Sequence, residues 1–265
     1  MLIHETNLGV KKRMKAFIAI ALISIAALAQ SKSDCAAPDL ICKAAQNQDR
    51  SLYVRDHCRY EQRLRVERFK IDKGEEKIQE ARETAVRVEP AESPDKTNRI
   101  PVAVRVISDT DKQGRPKNRV NENERTLLSF GAVWDLAFFP LLPEKIRYYN
   151  FEEVVAQRKN EKWYRFVPKA EISDVALASG TVQLDPATGE VLTIKIEALH
   201  NLEALDKEGR NLRSFNATID YSQFEGALRL PTLASGGGVS QIRRFEGSFR
   251  FRFQEGKYVP VRKID

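Results

Sequence analysis

A chain of 265 residues, 42% hydrophobic and 31% charged, is long enough for one large domain or two small ones, and this mix excludes a disordered or low-complexity protein. The formal charge is +7, and apart from a basic cluster near the N-terminus it is spread along the chain. It lacks the concentrated basic footprint that nucleic-acid binding needs, so no nucleic-acid partner is expected.

The chain opens with a basic cluster, Lys11, Lys12, Arg13 and Lys15, followed by an apolar run from Ala16 to Leu28. Ala27-Leu28-Ala29 supplies small residues for a cut. This is the layout of a secretory signal peptide over 1–29, with Met14 the tidier start. The run is short for a bilayer span, which takes about 20 residues. Cleavage near Ala29 removes four basic residues and one acid, leaving +4. Periplasmic localisation is expected, with a short linker over 30–37 and a single domain over 38–265. Cys35 follows the polar stretch "SKSD", which argues against a lipid-modified cysteine. Export implies an oxidising space. Cys35, Cys42 and Cys58 allow three pairings, and Cys42–Cys58 is the one expected, tying a first helix to a first strand.

"APDLICKAAQNQDRSLY" reads as a helix, with Pro38 and Asp39 in its first turn and Leu40, Ile41, Ala44 and Ala45 on one side. "CRYEQRLRVERFKID" alternates through Tyr60, Leu64 and Val66, then changes phase to Phe69 and Ile71, which predicts a β-bulge near Glu67. Asp72-Lys73-Gly74 is a turn, and "IQEARETAVRVEP" and "RIPVAVRVISD" read as further strands. The alternation then stops. "NENERTLLSFGAVWDLAFFPLLPEK" is apolar nearly all round and reads as one or two helices, with Gly131 as a break and little of it facing water.

Strands resume at "IRYYNFEEVVAQR" and "EKWYRFVPK". "GTVQLDPATGEVLTIKIEAL" is a hairpin with Leu192, Ile194 and Ile196 on one face. "LRSFNATIDYSQF" puts Phe215, Ala217, Ile219 and Tyr221 on one face, and "ASGGGVS" reads as a flexible loop. "GSFRFRFQEG" sets Phe249, Phe251 and Phe253 on one face and Arg250 and Arg252 on the other.

The fold class expected is mainly β (α+β): a strongly curved antiparallel sheet or incomplete β-barrel of about nine to eleven strands, with an N-terminal helix and a helical plug or lid. Trp134, Phe138 and Phe139 then dock in the hollow of the sheet. Against them lie Leu192, Ile194, Ile196, Phe215, Ile219, Phe249, Phe251 and Phe253, either as plain core or as a lipid-binding cavity.

No G-x-S-x-G, H-E-x-x-H or Walker loop occurs. His57 beside Cys58 has no compact zinc spacing, His200 has no triad, and the pairs Glu75-Glu76 and Glu152-Glu153 point to opposite strand faces. A non-enzymatic protein without cofactor or metal is expected.

Three stretches carry a resemblance: "YEQRLRVERFKIDKGEEKIQEARETAVRVEP", "FGAVWDLAFFPLLPEKIRYYNFEEVVAQRKNEKWYRFVPK" and "SGTVQLDPATGEVLTIKIEAL". With the leader and first helix, the pattern resembles the LolA and LolB lipoprotein carriers and the broader outer-membrane lipoprotein-sorting-like proteins. The resemblance implies an incomplete barrel with a helical lid and a cavity for lipid or lipoprotein acyl chains. It also implies an arginine securing the lid to the sheet, but many arginines here compete for that part. The other reading is a periplasmic interaction module with a closed core, recruiting an envelope protein by its edges or convex face.

Overall fold

The computed structural model describes residues 35–92, 99–116, 132–155, 161–205, 211–224, 228–242 and 245–261. The leader reading over 1–29, most of the linker and Gly131 lie outside them. Residues from Ala37 to Asp265 form one compact unit. No helix among the described residues is long and apolar enough to cross a membrane.

Helix α1 spans Asp39–Asp56. Pro38 precedes it and Asp39 sits in its first turn, where a negative charge favours the helix N-terminus. Its buried side is Ile41, Ala44, Ala45, Gln48, Ser51 and Arg55, a helical stripe that is apolar at one end and polar at the other. Among the described residues ten strands follow: β1 Cys58–Asp72, β2 Glu75–Glu92, β3 Arg99–Thr110, β4 Tyr149–Val154, β5 Lys162–Pro168, β6 Leu177–Leu184, β7 Val191–His200, β8 Leu212–Gln223, β9 Arg229–Ile242 and β10 Phe245–Pro260. Two short helices among the described residues, α2 Ala132–Phe138 and α3 Pro143–Ile146, fall between β3 and β4.

The strands make one antiparallel sheet, curved and unclosed, in the order β3-β2-β1-β10-β9-β8-β7-β6-β5-β4. The chain runs outward from the centre to β3, then returns from the opposite edge at β4. Last and first strands meet in the middle, where Leu64 pairs with Phe253 and Val66 with Phe251. The phase change in β1 is real: its register with β2 shifts between Arg68 and Phe69. Lys73 and Gly74 turn the chain with φ of 54° and 86°.

Two expectations are corrected here. The stretch from Ser235 to Ser240 is the body of β9, paired on both sides, and not a loop. Its glycines answer a steric demand. A Cβ on Gly236 would stand 2.0 Å from the Asn216 carbonyl oxygen, and one on Gly238 2.1 Å from that of Ser214. Neighbouring backbone comes too close for any side chain there, as at a tight bend of a sheet. The second correction concerns the disulfide. Cys35 and Cys42 are disulfide-bonded, while Cys58 is a buried thiol in a small cluster with Tyr60, Val86 and Val88. Helix α1 rises 1.5 Å per residue and so holds Cys42 about 20 Å from the start of β1. A disulfide needs Cα atoms within about 7 Å.

Candidate functional site: an apolar floor under helix α2

Register fixes which side chains share a face. One inner row runs Leu64, Phe253, Ala234, Ile219, Ile194, Val182 and Tyr164, crossing from β1 to β5. The next runs Val66, Phe251, Gly236, Ala217, Ile196, Gly180 and Phe166. Each row is apolar because each strand contributes only its alternate residues. The glycines and alanines lie opposite the phenylalanines, so small residues leave the volume that the rings occupy.

Helix α2 lies on this floor. The Trp134 ring centroid is 5.0 Å from Phe251 in an edge contact, 5.0 Å from Phe253 and 6.3 Å from Phe215. Phe138 sits 4.9 Å from Phe253, and Phe215 stacks on Phe251 at 5.6 Å. These are the separations aromatic pairs prefer. Trp134, Phe138, Phe139, Ile194, Ile196, Phe215, Ile219, Phe249, Phe251 and Phe253 are all buried to 3% exposure or less. Every residue of the expected hollow is therefore buried except Leu192. There the β6–β7 register slips, so Leu184 meets Val191 while Gln183 meets Thr193. Val191 takes the inner place and Leu192 is only half-buried. Toward β1 the floor opens, with Leu64 and Val66 also half-buried.

Hydrogen bonds hold the far end of α2. Gln48 of α1 donates Nε2 to the Phe138 carbonyl at 3.1 Å and accepts the Leu141 amide on Oε1 at 3.1 Å. The Tyr221 hydroxyl also donates to the Phe138 carbonyl. Burial pushes the Tyr221 phenol well up, so it stays protonated as a donor.

Beside this staple lies a buried ion pair. Arg55 grips Glu255 with two bonds, Nε to Oε2 at 2.9 Å and Nη2 to Oε1 at 2.6 Å. Gln62 donates to Glu255 Oε1 at 2.9 Å and the Tyr258 hydroxyl to Oε2 at 2.7 Å. Arg55 and Glu255 are 4% and 2% exposed. The guanidinium lies 5.3 Å from the Tyr60 ring centroid and 5.9 Å from that of Phe138, and Nη1 reaches Asp135 of α2 at 4.0 Å. Burial alone would lower the Arg55 pKa; Glu255 more than reverses this and raises it. One side chain thus joins α1, β10 and α2.

Sequence reasoning missed this group, although two signals for it exist. Gln48, Ser51 and Arg55 continue the buried stripe of Ile41 and Ala44, so polar residues sit at core spacing. Glu255 is the next inward position after Phe249, Phe251 and Phe253.

The outer face holds Arg250 and Arg252 of β10. Arg250 pairs with Glu67 at 2.6 Å and Glu76 at 2.8 Å. The described residues contain no cluster of three or more His, Cys, Asp or Glu placed to hold a metal. His57 Nδ1 lies 2.7 Å from the Tyr53 carbonyl, and His200 Nε2 lies 2.8 Å from the Ser179 hydroxyl.

Comparison with family models and with curated proteins finds no match to this sequence. Among solved structures the chain is similar to a domain from Vibrio parahaemolyticus whose name assigns it to outer membrane lipoprotein sorting. Identity is 12%, coverage 85% of this chain and 95% of that one, and TM-score 0.36. It is also similar to a LolA superfamily protein from Nitrosomonas europaea, at 8% identity, 84% and 94% coverage and TM-score 0.29. The MucA/MucB complex of Pseudomonas aeruginosa follows at 12% identity, 83% and 93% coverage and TM-score 0.22. The resemblance read from the sequence recurs among these structures, but at such scores it carries no functional weight.

Proposed function

We propose that this chain is an exported, non-enzymatic protein of the cell envelope that binds acyl chains of a lipid or lipoprotein between its sheet and α2. In this reading α2 is a lid that occupies the site until a ligand displaces it. The carrying observation is how the floor is covered. Two apolar rows crossing several strands lie under a helix of seven residues. Rings hold that helix along its length, and backbone hydrogen bonds to Gln48 and Tyr221 hold its end. Most of what the rings contribute is apolar burial, which is non-directional, so an acyl chain can take their place. Each buried methylene contributes about 0.8 kcal/mol, enough for a chain of ordinary length to compete with two rings. The half-buried Leu64 and Val66 give such a chain an entrance.

The test is titration of delipidated protein with a fluorescent fatty acid. Wild type is expected to bind. Trp134→Ala is expected to lose about 3–5 kcal/mol of stability and to take up more ligand, because it empties part of the floor. An unchanged melting curve with unchanged uptake defeats the reading.

A second reading has its own support. The floor residues under α2 are almost fully buried, as in a finished core, and among the described residues β3 and β4 end the sheet without a neighbouring strand. An interaction module recruiting an envelope protein by strand addition uses such edges. It predicts capture of a protein partner by delipidated protein and no fatty-acid binding.

A further inference from the structure

The outer face carries a feature that neither reading uses. Directly behind the apolar rows, register lines up Glu83, Arg65, Arg252, Ser235, Thr218 and Lys195 across β2, β1, β10, β9, β8 and β7. Five of these, Glu83, Arg65, Arg252, Ser235 and Thr218, line a concavity of about 400 Å³, which Arg63 and Asp220 also border. Arg65 and Arg252 are direct cross-strand partners. Like charges so placed repel and weaken a sheet. Acids neutralise one of the two: Arg65 is bound to Glu67 at 2.7 Å and lies 3.8 Å from Glu83. Arg63 pairs with Glu83 at 3.1 Å. Arg252, exposed in the middle of the row, makes no ion pair among the described residues, although its neighbour Arg250 makes two.

We infer that this concavity is an anion site for a phosphate group, with Arg252 as its principal ligand and Arg65, Ser235 and Thr218 beside it. Arg252 presents a planar fork that suits two phosphate oxygens, and the hydroxyls of the next two strands can serve a third. A carboxylate has only two oxygens and leaves donors unused. The volume exceeds that of phosphate alone, so the ligand is a phosphate ester, either a small soluble one or the headgroup of a lipid. Glu83 and Asp220 limit the site to the middle of the row. Asp220 itself accepts the Thr193 hydroxyl at 3.0 Å.

Thermal melts and vesicle sedimentation test this. Sodium phosphate and glycerol 3-phosphate are expected to raise the melting temperature beyond sodium chloride of equal ionic strength, since a ligand of the folded state stabilises it. Arg252→Gln weakens that binding about tenfold or more, as losing a charge-assisted bond does. Arg252→Lys keeps part of it, and Arg213→Gln, exposed on β8 outside the concavity, changes nothing. Sedimentation separates the sources. Co-sedimentation with phosphatidylglycerol vesicles, lost in Arg252→Gln, points to a headgroup. Stabilisation by glycerol 3-phosphate without co-sedimentation points to a soluble ester. Absence of both effects overturns the inference, as does equal behaviour of wild type and Arg252→Gln, or an equal loss in Arg213→Gln. Fatty-acid uptake stays unchanged in Arg252→Gln, so failure here is distinct from failure of the acyl-chain reading.

Discussion

At the scale of single residues, Asp56 carries the most testable consequence. It ends α1 beside Arg55, and its Oδ1 is buried without a hydrogen-bond partner among the described residues. Burial is the main cause that pushes its pKa up to about 7, with Asp135 and Glu255 adding to the rise and Arg55 opposing it. An unfolded Asp titrates near 3.9. Between those values the folded protein holds a proton that the unfolded chain has released, so stability falls as pH rises. The favourable contribution is complete below about pH 4 and lost by about pH 7, where an ionised carboxylate stays buried. The swing is on the order of 2–4 kcal/mol, at about 1.4 kcal/mol per pKa unit. Urea denaturation of wild type and Asp56→Asn from pH 4 to 8 checks it. The difference between the two curves is expected to shift by that amount in favour of Asn as pH rises. Carboxylates such as Glu67, whose pKa bonds to Arg250 and Arg65 lower, act the opposite way. They are common to both proteins and cancel in the difference. A flat difference curve refutes the assignment.

At the scale of elements, the Arg55–Glu255 pair decides how α1, β10 and α2 stay together. Breaking a buried pair costs about 3–5 kcal/mol because the surviving charge is left uncompensated. Glu255→Ala should therefore destabilise by that much, and Arg55→Met similarly. Arg55→Met with Glu255→Leu should recover most of the loss, since apolar replacements of similar volume are often neutral. A double-mutant cycle by chemical denaturation measures it, and additive losses would mean the pair acts as two independent contacts. The same elements show what was legible in the sequence. Period two placed Phe215, Ile219 and the Phe249–Phe253 stripe on the inner face, because a strand buried on one side leaves its alternation in the chain. It failed at Leu192, where a register slip in the hairpin moved Val191 inward instead. It failed over Ser235–Ser240, because glycine composition looks the same in a loop and in a strand whose neighbours press on its backbone. The ion pair was hidden for another reason. Its two members are 200 residues apart, and only the assembled sheet brings them together.

At the scale of the whole molecule, the two functional readings differ in one mechanical property. The sheet is a continuous ladder from β3 to β4, and each inner strand has hydrogen-bonded neighbours on both sides. Helix α2 has no such ladder. Its seven residues depend on Trp134 and Phe138 and on the bonds to the Phe138 carbonyl. Regions with few backbone ties open at lower free energy than the body of a sheet. Hydrogen exchange followed by mass spectrometry reads this directly. In the acyl-chain reading, peptides covering 132–139 exchange faster than those of β8 and β10. Adding fatty acid further lowers the protection of α2, because the ligand takes its place on Phe251 and Phe253. The strands meanwhile gain protection, since a filled floor stabilises the folded sheet. In the interaction-module reading, α2 is a fixed part of the core. Its protection then matches the strands, and fatty acid moves neither. Protection of α2 equal to that of β10 and unaffected by lipid would leave the aromatic stripe as structural core alone.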